Sequence, residues 1–352
     1  MTAGRFRDLA EAYERFGEVD AAGTTYQAVA VSLAGSAAAM RAVERMSART
    51  RRPPLVLAAL HDLALAGRAP ALAAAYAGGD AEAAAQAAVE TVVERADDVA
   101  ARASGRRVLT GETGRGTVLY PAVVEAARRA GATQVGLVSP GCSAGFDLQV
   151  DRVGITYDDG RTLGDMSSPV QVTASVVGDK PIPERGMPEV VARVGVDTAP
   201  VDVTDPEDVR WLRACVWPGR REEAARLDAE IALAAAKPPT LVRGDLVDLI
   251  PDAVARVPDG ALPVVTTTWA VSRLSPARRS RLLHQLESVA QTRPLAWVSV
   301  EGVGVAPGVP TLGDRPASGH SIIGVTLWHG SSRDVQVVGR CWLRGRMLSW
   351  LV

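Results

Sequence analysis

The first third of the chain repeats its apolar residues at helical steps. Phe6, Leu9, Tyr13 and Phe16 recur three and four positions apart, which places them on one helical face. Gly23-Thr24-Thr25 punctuates the pattern and offers N-cap hydroxyls to the helix that follows. Pro53-Pro54 opens an almost wholly apolar helix through Ala66, and alanine, valine and glutamate at helical spacing continue the pattern over 80–102. Period-two alternation is absent up to about residue 105, so residues 1–105 are expected to form an all-helical cap domain.

From Arg107 onward the pattern changes. A glycine-punctuated stretch, Val108 to Gly116, precedes a helix over 117–129. Val135-Gly136-Leu137-Val138 is an apolar run of strand length. It turns through Ser139-Pro140-Gly141-Cys142-Ser143-Ala144-Gly145 and re-enters an apolar pattern, read as a helix start, at Phe146. Alternation over 151–165 and 170–177, with Asp-Asp-Gly and Gly-Asp turns, predicts a small β insertion at about 151–190. Further strands are expected over 190–197, 239–245, 262–269 and 295–301, with helices between them. Two consecutive strands, 321–329 and 334–342, are expected to form an antiparallel hairpin on one sheet edge. Residues 106–352 therefore read as an α/β domain: a doubly wound, Rossmann-like sheet whose last strand runs against the others.

Composition narrows the partners. The 352 residues are 47% hydrophobic and 22% charged, with a formal net charge of −1. That balance suits a globular protein and provides no basic groove for nucleic acid. Lys180 and Lys237 are the only lysines among 39 basic residues, and the arginines are spread along the chain. The charged amphipathic start does not read as a secretory signal, and the apolar stretch 53–67 is broken by His61-Asp62 and too short to span a bilayer. Cys142, Cys215 and Cys341 lie far apart, so neither a disulfide framework nor a metal site is expected, and the expected compartment is the cytoplasm.

The chemistry centres on the turn after the strand at 135. Small residues between a strand and a helix start let backbone amides face a ligand. The stretch 108–116 is similar in composition to a phosphate loop but lacks Gly-Lys-Ser/Thr. Arg115 at a helix start is either a bidentate clamp for a carboxylate or a surface arginine. Asp197 ends a buried strand, where α/β sheets place ligand groups. His61, in an apolar helix, is either a catalytic base or a core histidine bonded to a backbone carbonyl. Gly141-Cys142-Ser143-Ala144-Gly145 also has the letters of a nucleophile elbow. A serine hydrolase built on Ser143 would need Asp245 or Glu301 with His320 or His329.

The strand order and this loop together resemble the S-adenosylmethionine-dependent methyltransferases, whose loop reads acid-x-Gly-x-Gly-x-Gly. Ser139 replaces the acid and Ser143 the middle glycine. The resemblance implies S-adenosylmethionine over Gly141 to Gly145, Asp197 on the ribose hydroxyls, Asp245 near the adenine amine, and Thr268-Trp269 beside the methyl-transfer pocket. It implies no metal.

More of the chain is similar to an uncharacterised bacterial family, domain of unknown function 2332. The runs that carry this include Pro54 to His61, Thr110-Gly111-Glu112-Thr113-Gly114-Arg115, Ser143-Ala144-Gly145-Phe146-Asp147-Leu148, Arg193 to Asp197, and Trp211 to Pro218. Departures stand at Ser139, where the family has glutamate, at Gly111 and Asp147, where it has asparagine, and at Trp342-Leu343-Arg344, where it has His-Pro-His. That family carries no established activity; the function expected from the methyltransferase resemblance is methyl transfer to a small molecule, with His61 and Asp147 as candidate bases. A non-catalytic binding protein on the same scaffold is the alternative.

Overall fold

The computed structural model describes residues 2–109 and 113–352. Residues 110–112, in the middle of the glycine-punctuated loop, and the side chain of Phe6 lie outside the described part.

Helices α1 (Thr2–Arg15), α2 (Thr25–Gly35), α3 (Ala37–Glu44), α4 (Pro53–Leu65), α5 (Pro70–Gly78), α6 (Ala81–Glu94) and α7 (Ala96–Ala103) come first. Their causes are local. Leu9, Tyr13 and Phe16 share a buried face, and prolines open α4 and α5 where a missing N–H costs nothing. Asp80 caps α6, its Oδ1 accepting from Glu82 N at 3.1 Å and Ala83 N at 3.0 Å. Thr24 is the N-cap of α2, but its hydroxyl donates backwards to Ala21 O at 2.6 Å instead of accepting from the helix. The apolar α4–α5 pair bends by 99°, and no single helix among the described residues is long and apolar enough to cross a membrane.

After these come α8 (Gly116–Ala130), β1 (Gln134–Pro140), β2 (Gly154–Tyr157), β3 (Thr162–Gly164), β4 (Gln171–Val176) and β5 (Glu189–Asp197). Next are α9 (Pro206–Cys215), α10 (Arg221–Ala236), β6 (Thr240–Arg243), α11 (Ile250–Val254), β7 (Leu262–Thr268), α12 (Pro276–Ala290) and β8 (Leu295–Gly302). β9 (Ser321–His329), β10 (Ser332–Trp342) and β11 (Met347–Trp350) complete the chain.

Contacts divide the chain into two units, Met1–Gly111 with Thr204–Asp228, and Glu112–Val203 with Ala229–Val352. The helical unit thus takes in α9, which the sequence reading assigns to the α/β part. The reason is burial: Trp211 and Cys215 of α9 belong to the same core as α1–α7. Trp211 Nε1 donates to Arg107 O at 3.0 Å, and buried Asp62 of α4 accepts from Arg210 Nε at 3.0 Å.

The sheet unit is a mixed α/β structure around eleven strands in the order β3-β2-β4-β11-β10-β9-β8-β7-β1-β5-β6. β6, β5, β1, β7 and β8 are mutually parallel. β9 runs against both β8 and β10, so the expected hairpin is present beside the strand at Leu295. It is interior rather than at an edge, because β11 covers β10 and β4 covers β11. The 151–190 segment is likewise not a separate excursion: β2, β3 and β4 extend the far side of the sheet. Side chains alternate between two buried faces, Leu137 and Val264 with α8, Val138 and Val265 with α11 and α12.

Phe146 does not open the expected helix. Phe146–Arg152 is a 3₁₀ stretch broken at Gln149 (φ −98°, ψ 16°) that leads directly to β2. Seven residues are too few to sustain an α-helix without external support, and Gln149 instead spends its amide on Lys237 O at 3.0 Å.

Candidate functional site

β1 is flanked by β5 on one side and β7 on the other, so the order of strands reverses beside it. Open α/β sheets bind ligands at the carboxyl ends of strands at such a switch point. The chain leaves β1 through Gly141 (φ 82°), Ser143 (φ 56°) and Gly145 (φ 72°), three left-handed positions within five residues. Serine there is strained by about 1–2 kcal/mol, so something must hold it. Asp197 does: its Oδ2 accepts from Ser143 N at 3.0 Å and its Oδ1 from Ala199 N at 2.9 Å, and the residue is 1% exposed. Gly141 N also donates to Val196 O at 2.7 Å.

These contacts explain the glycines without a ligand. A Cβ on Gly145 would sit 2.9 Å from Pro239 Cγ. One on Gly195, across the sheet on β5, would sit 2.5 Å from Cys142 Sγ. Asp197 lies next to the loop, as the resemblance implies, but both its oxygens are taken by backbone amides.

A polar cluster fills the other side of the switch. Ser139 Oγ donates to Asp147 Oδ2 at 2.5 Å, and Asp147 Oδ1 is buried with no hydrogen-bond partner. Burial pushes the Asp147 carboxyl above its usual range, while Arg115, the Ser139 hydroxyl and the amides of Asp147 and Leu148 pull it back. Arg115, itself buried, donates from Nη1 to Thr268 Oγ1 at 2.6 Å, and its guanidinium lies over the Trp269 ring at 5.6 Å. Arg115, Asp147, Gln149 and Glu230 line a cavity of about 30 Å³, enough for a water molecule.

The next strand end supplies another buried carboxyl. Glu301 accepts from the amides of Ala270 at 3.1 Å, Val271 at 3.0 Å and Ser272 at 3.3 Å. Thr267 hydrogen-bonds to it and is itself held by Trp297 Nε1 at 3.1 Å. Burial nevertheless raises Glu301 to about 7. Trp269 Nε1 donates to Ser321 Oγ at 2.9 Å, tying the end of β7 to the start of β9.

The remaining candidates lie elsewhere. Asp245 is a half-exposed turn cap, accepting from Val247 N at 2.8 Å and Asp248 N at 3.1 Å and paired with Arg278. His61 belongs to the helical unit, with Nδ1 3.1 Å from Ala214 O and burial lowering its pKa. His320 turns its Nε2 onto Asp314 Oδ2 at 2.9 Å, an acid that the sequence reading passed over because it sits in a loop without a pattern. His329 stands at the other end of β9, beside Ala130 and Asp259. Ser143 Oγ meets no histidine among the described residues, so a hydrolase triad is not assembled there. Nor do those residues include a group able to hold a metal ion.

The sequence departures converge on this edge. Ser139 and Asp147 touch each other, so the carboxylate here sits on the 3₁₀ stretch, with serine on β1 donating to it. Leu343 and Arg344 both take positive φ (49° and 56°), and this turn packs at the start of α8, where Thr117 Oγ1 donates to Gly345 O at 2.7 Å. Gly111, the remaining departure, lies outside the described residues.

No curated protein matches the sequence. A family model described as an uncharacterised protein conserved in bacteria (DUF2332) matches residues 10–350, covering both units and every element that builds this edge, and the chain belongs to that family.

Proposed function

We propose that the chain is an S-adenosylmethionine-dependent methyltransferase for a small molecule, built on a Rossmann-like sheet. The observation that carries this reading is the buried set Ser139–Asp147 and Arg115–Thr268 at the switch point of the parallel strands. The loop Gly141 to Gly145 would frame the cofactor, with Asp197 as a positioning residue that fixes the Ser143 amide rather than a direct ribose ligand. When bound, the cofactor supplies an electrophilic methyl group. Asp147 is suited to take the acceptor's proton, since a carboxyl raised by burial matches a general base better than an exposed one. Arg115 and Thr268 would orient an acidic or polar acceptor beside Trp269. His61 receives no proton-transfer role in this proposal.

Titration calorimetry with S-adenosylmethionine and its demethylated product is the test. Binding in the micromolar range is expected for the native chain. Asp147→Asn keeps an acceptor for Ser139, so it should bind the cofactor within about threefold while slowing methyl transfer by about a hundredfold or more. No heat from either compound at about millimolar concentration ends the proposal. A second reading, a non-catalytic binding protein, is favoured by the engagement of both Asp197 oxygens. Cofactor binding without any transfer of labelled methyl to the small molecules of a cell extract would support it.

A further inference from the structure

We propose that the helical unit carries a binding site of its own, for a small planar molecule bearing a carboxylate. It goes beyond the methyltransferase reading and rests on different residues. Helices α4 and α5, the turn after α9 and the first part of α10 enclose a cavity of about 320 Å³, at the small end of the range for ligand pockets. The cavity opens to solvent and its lining is mostly apolar with a few charged groups, the usual make-up of a small-molecule cleft.

The walls select a flat shape. His61 and Tyr76, both in the lining, meet edge to face at 5.3 Å. Trp217 also lines the cavity, and its ring is held by contacts with Tyr26 at 5.4 Å and Phe16 at 6.1 Å. The rest of the apolar lining from α4 and α5 is Leu65 and the small side chains of Ala64, Ala73 and Ala77, which leaves room beside the aromatic rings.

The mouth selects charge. Arg213, Arg220 and Arg221 line it, against a single acid, Asp228. Asp228 is already paired with Arg213 Nε at 2.8 Å. Arg220 stacks over the Trp217 ring at 4.7 Å and pairs with Glu223 at 3.3 Å. Arg221 has no ion-pair partner among the described residues. Aromatic walls alone would also suit a quaternary ammonium, but three guanidinium groups at the entrance repel a cation. A ring acid satisfies both parts, its ring against Trp217 and Tyr76 and its carboxylate on the arginine fork.

The test uses the full chain and ligand-observed NMR, with indole-3-acetate and benzoate as probes. Benzamide serves as the neutral control and tetramethylammonium as the cationic one. Saturation transfer is expected from the two acids at about millimolar concentration, at least about tenfold weaker binding of benzamide, and none of tetramethylammonium. Arg220→Gln and Arg221→Gln should each weaken the acids several-fold. Ala77→Trp fills the cavity from an exposed position, and it should abolish binding at an unchanged melting temperature. Equal binding of acid and amide, preference for the cation, survival of binding in the Ala77→Trp variant, or no transfer from any probe each overturns the proposal.

Discussion

Asp147 on the 3₁₀ stretch and Glu301 near the end of β8 are both carboxyls withdrawn from water, and their surroundings set them apart. Glu301 accepts three backbone amides and a hydroxyl, yet loss of water outweighs these and raises it to about 7. Its unfolded value is near 4.5, so between pH 4.5 and 7 the folded chain holds a proton that the unfolded chain has released. Stability from this residue is therefore full below pH 4.5 and falls as pH rises to about 7, by roughly 3 kcal/mol if the whole shift is realised. Melting temperatures followed from pH 5 to 8 should decline in the native chain and flatten in Glu301→Gln, where there is no charge to release. A parallel decline in both would show that another group carries the effect. Sequence alone marked Glu301 as the acid at a strand end. It could not show the three amides, because they come from the turn after β7, about thirty residues away.

The pairing of β5 with the loop after β1 is a matter of volume. Gly195 leaves the space that Cys142 fills, and a methyl group there would come within 2.5 Å of the sulfur. Gly195→Ala is expected to destabilise by about 1–3 kcal/mol in urea unfolding, the usual cost of overpacking a fitted core. Cys142→Ala makes room again, so the double variant should recover part of that loss; purely additive losses would mean that the two residues do not compete for the space. The strands themselves were legible, since apolar runs such as Val135 to Val138 and Val194 to Val196 have no other economical use. The segment after the loop was not. Phe146 to Arg152 has the composition of a helix start, and it becomes a 3₁₀ stretch because Gln149 and Arg152 bond to Lys237 O and Leu233 O in another part of the chain.

On the scale of the molecule, the helical unit is discontinuous in sequence. Trp211 is 1% exposed within its core, and Asp62 is buried between Arg102 and Arg210. A fragment of residues 1–111 lacks both Trp211 and Arg210, leaving an apolar cleft and a half-paired acid. It should show helical circular dichroism but no cooperative melt, while the same fragment joined by a flexible linker to residues 204–228 should melt cooperatively. A cooperative transition in the short fragment would show that α9 is dispensable to that core.

Helical period, strand-length apolar runs, proline starts and the Asp80 cap are short-range features, and the sequence by itself determined them, because a side chain's spacing and its nearest amides lie within a few residues. The alternation of strand and helix from residue 107 likewise determined a mixed α/β class. Only the tertiary structure decided which strands are neighbours, that β2 to β4 widen the sheet beyond β11, that α9 joins the helices, and that Ser139 meets Asp147 while Asp197 closes on the loop. Those outcomes depend on distances between residues far apart in the chain, where competing pairings share the same local pattern and packing volume, buried charge and backbone hydrogen bonding choose among them.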